Sequence, residues 1–386
     1  MKRSLLRKLS YILILLLVAF FLLESVLSIY YYQTYGSFRF ATRGLFKKIA
    51  TSFTKKEDFT EYYKAQLLVR PDSSVKMTRA VFQETQATSP FQYHPWLLFT
   101  ITPFSGTYVN TDGIKRKTIP ESNNSDADAI EIFFLGGSTM FGFHVADAET
   151  IPSYFVQLFK ERKITLPIKV SNYGVPAYYS YHELILFTHL LNDGKRPSIV
   201  IFLDGLNDFR GTKATLYKES LLDYKLAQTF KMDIRRGNPK FEDSLSTIFI
   251  EVPKERVKNV SDSLYTNYMQ TMEAIKTLAS NYNAQSYFFI QPVPCYNYPN
   301  QEKDPICSQI IYEQYFQIYP ALQKASTEKD NLFFLGDMLL NEKGLPFIDR
   351  FHYSPAMNKL LASEILNKLL PQLKSYSKKN KLPNLP

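Results

Sequence analysis

A serine, a histidine and two carboxyl or amide side chains stand where acyl chemistry could be done. Ser138 follows a glycine pair in Gly136-Gly137-Ser138-Thr139, and Asp349 precedes His352 by three residues in Asp349-Arg350-Phe351-His352. A serine hydroxyl attacks an ester carbonyl only when a base within hydrogen-bond reach takes its proton. An imidazole suits that task because its unperturbed pKa lies near operating pH, and a neighbouring carboxylate can hold its tautomer. Two further polar clusters are Asn172-Tyr173-Gly174 and Asp204-Gly205-Leu206-Asn207-Asp208. Taken singly, each has a plainer reading. Gly-Gly-Ser-Thr is also a turn with a helix N-cap, Asn207-Asp208 are turn formers, and Asp349 could cap the last helix.

Their placement along the chain is what joins them. IEIFFLG (130–136), IKVSNY (168–173) and SIVIFLDG (198–205) are strand-like runs, and each ends at one of these clusters. Helical patterns alternate with them: residues 152–163 with Thr150 placed to cap, then 181–194 ending at Gly194. After a polar insertion at about 211–261 come a long helix, strand AQSYFFIQP, a helix around 308–325, the short strand NLFFLG (331–336) and helix 355–373. Strand and helix alternating over five units predict a parallel five-stranded sheet between helix layers, a three-layer α/β/α sandwich. In such sheets ligands bind at the carboxyl ends of strands, where three of the clusters fall, and the fourth, Asp349 to His352, lies in the turn before the last helix.

LGGSTMFGF resembles the first sequence block of the SGNH/GDSL hydrolases, whose serine is the nucleophile. NYGVPAYYSYHELILF resembles the second block with its glycine, FLDGLNDF the third, Gly-x-Asn-Asp, and FIDRFHYSPAMNKLLASEIL the fifth, Asp-x-x-His. The lead-in YHPWLLFTITPFSGTYVNTDGIKRKT is similar to that of exported bacterial members, so the likeness spans roughly 91–373. The usual Gly-Asp-Ser is Gly-Gly-Ser here. The resemblance implies the flavodoxin-like SGNH fold and a serine ester hydrolase, an acyl or acetyl esterase. Ser138 would form the acyl-enzyme, His352 would be the base and Asp349 its orienting partner. The oxyanion would be held by the Ser138 and Gly174 backbone N–H groups and the Asn207 amide. No metal or cofactor is called for. Two alternatives remain: an O-acyltransferase passing the acyl group to an envelope glycan through the same site, and a non-catalytic glycan- or lipid-binding relative.

Competing motifs fall away on spacing. His182-Glu183 begins a His-Glu-x-x-His zinc motif, but position 186 is Leu. His182 and His189 are seven apart on one helix, ~10.5 Å along its axis, which suits packing better than chelation. His94 reads as a loop residue, and His144, six residues beyond Ser138, could border the cleft. Position 140 is Met, so Ser138 has no Gly-x-Ser-x-Gly elbow, against the α/β-hydrolase fold. Cys295 and Cys307 are the chain's two cysteines. They would be thiols in a reducing compartment, but an exported domain favours their closing a short disulfide loop.

Charge and hydropathy concern location. The net charge of +10 is concentrated near the N-terminus, at residues 39–56 and in the tail, which points to a membrane surface and not to nucleic acid. Residues 9–23 carry no charge, and with the stretch after Glu24 they approach the ~20 residues of a membrane-spanning helix. Lys2, Arg3, Arg7 and Lys8 precede them, predicting a cytoplasmic N-terminus (1–8), an uncleaved signal anchor (9–32) and an extracytoplasmic catalytic domain. A juxtamembrane linker (33–90), the hydrolase-like domain (91–373) and a basic tail without regular structure (374–386) complete the expected organisation. The partner would be an acyl-ester substrate, an O-acylated glycan or a lipid ester. The sequence does not set the oligomeric state.

Overall fold

The computed structural model describes residues 2–35, 67–70, 75–88, 91–120, 129–209, 254–294, 296–304 and 313–379. The chain divides into two units, residues 1–62 with 235–238, and residues 63–234 with 239–386. In the first, helix α1 (Lys2–Tyr35) carries exposed side chains from Tyr11 to Leu23. Among the described residues no helix is long and apolar enough to cross a membrane. The charge-free run of α1 stops at Glu24 and rises only ~22 Å against the ~30 Å of a hydrocarbon core. The anchor expected from the sequence therefore stands as a proposal.

The second unit begins earlier than the linker reading allowed. Val75–Thr88 forms helix α2, whose buried residues Thr78, Val81, Thr85 and Thr88 recur at helical spacing. The Thr85 hydroxyl donates to Val81 O (2.8 Å) and the Thr88 hydroxyl to Thr85 O (2.7 Å), so both polar groups are satisfied in the core. Three of the four buried residues are threonine, and such a stripe gives little apolar signal. Short antiparallel pairs follow, β1 (Phe91–His94) with β2 (Leu98–Ile101), and β3 (Phe104–Ser105) with β4 (Asn110–Thr111). The Glu84 carboxylate on α2 accepts the Thr107, Tyr108 and Val109 N–H groups at 3.1, 2.8 and 2.9 Å, tying α2 to this segment.

The main sheet contains β5 (Ile130–Gly136), β6 (Ile168–Gly174), β7 (Ile199–Asp204), β8 (Gln285–Ile290) and β9 (Leu332–Phe334), all parallel, in the order β6-β5-β7-β8-β9. Both faces are covered, so the strands are continuous apolar runs. Helices α3 (Ser138–Phe141), α4 (Ile151–Glu161), α5 (Ser180–Asn192), α6 (Leu206–Phe209), α7 (Val257–Asn281), α8 (Tyr315–Glu328) and α9 (Pro355–Lys379) alternate with them. Phe133, Val200, Phe202 and Phe288 pack with α5, α7 and α8 on one face. Ile132, Phe134, Ile201 and Phe289 pack with α4 and α9 on the other. Each fully buried side chain of this kind stabilises the fold by roughly 1.5–3 kcal/mol relative to exposure. The three-layer α/β/α sandwich with five parallel strands is as expected. Helix α9 runs to Lys379, into the segment expected to be an irregular tail. Residues 210–253, most of the expected insertion, lie outside the described residues, as do Cys295 and Cys307.

Candidate active site

The strand order reverses direction between β6-β5 and β7, the crevice where this class of sheet accepts ligands. Ser138 stands there, half-buried, as the first residue of α3. Its carbonyl accepts the Gly142 and Phe143 N–H groups, both at 3.0 Å, closing the short helix in one turn. Gly142 ends it at φ 79°, a left-handed conformation that glycine adopts without a Cβ penalty. Met140 and Phe141 are fully buried beneath, so the turn is anchored in the core.

The second strand end supports this turn from behind. A Cβ on Gly174 would overlap the Phe141 amide nitrogen, so only glycine lets β6 approach α3 this closely. The Gly174 N–H donates to Asn172 Oδ1 at 2.9 Å, and the Asn172 amide donates to Met140 O at 3.1 Å. Gly174 thus serves spacing, and its N–H is committed to Asn172; the oxyanion donation expected of it does not fit this bond.

Asn207, on α6 after β7, reaches the Ser138 turn. Its Nδ2 donates to Tyr178 O at 2.7 Å, and a Cβ on Gly137 would lie 2.6 Å from that nitrogen. An amide nitrogen has two hydrogens, and the Tyr178 bond uses one. The neighbouring Asp208 pins the turn, accepting Ser180 N–H (3.0 Å) and Gly205 N–H (3.3 Å). Beneath it Glu183 and Asp204 are buried, with the Tyr268 hydroxyl donating to Asp204 Oδ2 at 3.1 Å. Burial pushes both carboxyls well above their usual range, and the Asp204 charge raises Glu183 further.

Asp349 and His352 meet in the turn before α9. Asp349 Oδ1 accepts the Phe351 and His352 N–H groups at 2.8 and 2.7 Å, and Oδ2 lies 2.5 Å from His352 Nδ1. Burial alone would raise the Asp349 carboxyl, but the charge and hydrogen bonds of His352 outweigh it and hold the group below the usual carboxylate range. The Phe143 ring, one turn beyond Ser138, lies 4.9 Å from the His352 ring. Phe143 links the two turns, its N–H bonding Ser138 O and its ring lying against His352, while among the described residues the Ser138 hydroxyl makes no hydrogen bond to His352.

A sequence model of the GDSL-like lipase/acylhydrolase family matches residues 132–365, which include every site residue just described. The chain belongs to that family. As a member of the GDSL-like lipases and acylhydrolases it is a hydrolase acting on ester bonds. Among solved structures it is similar to a protein described as lipolytic and of the G-D-S-L family from Desulfitobacterium hafniense DCB-2. That likeness has 14% identity and a TM-score of 0.37, and covers 62% of this chain and 99% of that one. It is also similar to an acetyl-xylooligosaccharide esterase from Geobacillus stearothermophilus, at 16% identity and TM-score 0.36, over 62% and 93% of the two chains. No curated protein matches the chain in sequence.

Three site features of this GDSL-family chain escaped sequence reasoning. The first is His144, weighed only as a residue bordering the cleft: its Nε2 lies 3.7 Å from Asp349 Oδ2, and burial pushes its pKa down to about 3. The second is Arg116, fully buried, whose guanidinium donates to Phe141 O (2.9 Å), Gly142 O, Val145 O (2.6 Å) and Asp147 Oδ1 (2.9 Å). The third is Arg70, bonded to His144 O (3.0 Å) and Glu149 Oε2 (2.6 Å). Both arginines come from the lead-in segments, where charge reads as surface, and only Gly142 hinted that the loop after Ser138 turns sharply. His182, by contrast, is buried among Phe99, Tyr178 and Tyr179, the packing role expected of it.

His144, Asp349 and His352 are also a set with metal-ligand chemistry, their ligand atoms lying within 4.8 Å of one another. Asp349 Oδ2 is already engaged by His352, however, and the Arg70 and Arg116 charges oppose an added positive charge there. The arrangement favours proton transfer over cation binding.

Proposed function

We propose that the chain is a serine acyl esterase that forms an acyl-enzyme at Ser138. His352 takes the Ser138 proton and returns it to the leaving alcohol. Asp349 fixes the imidazole with Nδ1 protonated and stabilises the imidazolium as it forms. The Ser138 backbone N–H and the second Asn207 amide hydrogen receive the oxyanion, each such donor being worth about 3–4 kcal/mol in the transition state. The observation that carries this reading is the 2.5 Å Asp349–His352 contact, set beside the Ser138 turn by Phe143.

We further propose that the esterase works outside the cytoplasm, with α1 and its exposed leucines as an N-in membrane anchor and O-acyl groups of envelope glycans or lipid esters as substrates. Its N-terminal cations and apolar surface support this. Purified ectodomain should release acid from short-chain acyl esters, and Ser138→Ala should abolish release while the protein still unfolds cooperatively. Adding a sugar acceptor separates the transferase: acyl transfer outpacing hydrolysis would overturn the esterase assignment, since both fates share one acyl-enzyme. Activity that survives Ser138→Ala would overturn the site.

A further inference from the structure

Asp349 faces two imidazoles. His352 Nδ1 lies 2.5 Å and His144 Nε2 3.7 Å from the same oxygen, Oδ2. The other oxygen takes two backbone N–H groups, so this carboxylate is contacted on both arms. His144 is held there at some cost. Its φ of 65° is one that residues with a Cβ seldom adopt. Arg116 ties the carbonyls on either side of it and Arg70 ties its own. Its ring stacks on Phe82 at 5.1 Å and meets Phe143 edge-on at 4.3 Å. Helix α2, the buried arginines and a left-handed backbone thus converge on placing one imidazole against Asp349.

We propose that His144 is a positioning residue for the Asp349–His352 pair, turning a neutral Nε2–H dipole on Asp349 Oδ2 and so restraining the carboxylate and moderating its pull on His352. At 3.7 Å this is an electrostatic contact and not a formed hydrogen bond. Burial keeps His144 neutral throughout the range where the enzyme would work. The other charged or titratable groups facing the cluster are His352, Arg70 with its partner Glu149, and Arg116 with its partner Asp147. Both guanidinium groups are paired with these carboxylates, so the His144 dipole can be varied separately. A donor near Oδ2 draws charge from the carboxylate and makes His352 a weaker base. Removing it should raise the His352 pKa.

The proposal rests on the esterase reading, and the test keeps the two apart. His144→Phe keeps a ring for Phe82 and Phe143 but deletes the N–H. The acid limb of its kcat/KM profile should move up by roughly half a unit or more, with turnover several-fold lower. His144→Gln, which can place an amide N–H near the same point, should return the limb toward wild type. In the wild-type protein, ¹⁵N chemical shifts should give His144 as the Nε2–H tautomer, a reading that needs no variant to fold. A superimposable His144→Phe profile, equal shifts in both variants, or an Nδ1–H tautomer would overturn the role of His144. Wild-type protein that fails to take a fluorophosphonate on Ser138 at pH 8 would instead overturn the esterase reading beneath it.

Discussion

Four polar side chains define the site at the level of single residues, and the structure gives them unequal tasks. Asn207 sits against Gly137, so Asn207→Ala should lower turnover ~10²–10³-fold with little change in stability, as expected for one oxyanion donor. Asp349→Asn should cost more. Asp349 accepts two backbone N–H bonds and the His352 Nδ1 contact, and an amide cannot accept at every one of those points without setting donor against donor. Steady-state kinetics on both variants would rank them, and a harmless Asp349→Asn would remove the orienting role. As candidates, Ser138 and Asn207 could be picked out because each follows a glycine at a strand end, and Asp349 and His352 because they precede the last helix three residues apart. Gly174 was legible as a necessary glycine but not in its task, since which acceptor takes a backbone N–H is a three-dimensional fact. His144 carried no periodic or motif signal, and its place beside Asp349 comes from the loop that Arg116 and Arg70 hold.

At the level of elements, the parallel sheet was readable because strands buried on both faces are nearly unbroken apolar runs. Helix α2 was not, because its core stripe is mostly threonine. The short β1–β4 pairs lack the length that makes an alternating pattern visible. Close approach of β6 to α3 yields a prediction: Gly174→Ala forces a Cβ into the Phe141 backbone and should destabilise the fold by about 1–3 kcal/mol while lowering turnover. Thermal unfolding alongside kinetics would show whether both move; an unchanged Tm would contradict the packing argument. The buried acids under α6 give a second. Glu183 and Asp204 have raised pKa values when folded, so the folded state keeps a proton that the unfolded chain releases above about pH 4.3. Stability from this pair is fully present below the unfolded value and is lost as pH rises toward the folded one. Glu183→Gln removes that linkage, so its Tm relative to wild type should be more favourable at pH 8 than at pH 4.

At the scale of the whole molecule, the family match covers the sheet, the Ser138 turn and the Asp349–His352 turn as one unit. Helix α1 belongs to the other unit, and its proposed role as anchor is tested separately. A reporter fused after Pro386 should behave as exported, with the N-terminus retained on the mature chain. A mature protein beginning near residue 30 would replace the anchor with a cleaved signal. That outcome would leave the chemistry untouched, because the site residues, from Arg70 to His352, all lie in the second unit. The central claim is that Ser138 is a nucleophile activated by His352. Its most direct test is intact-mass analysis and peptide mapping after treating the protein with a fluorophosphonate. One adduct on Ser138, lost in Ser138→Ala and strongly slowed in His352→Ala, is the predicted result. An unlabelled protein, or a stoichiometric adduct on another residue, would contradict it.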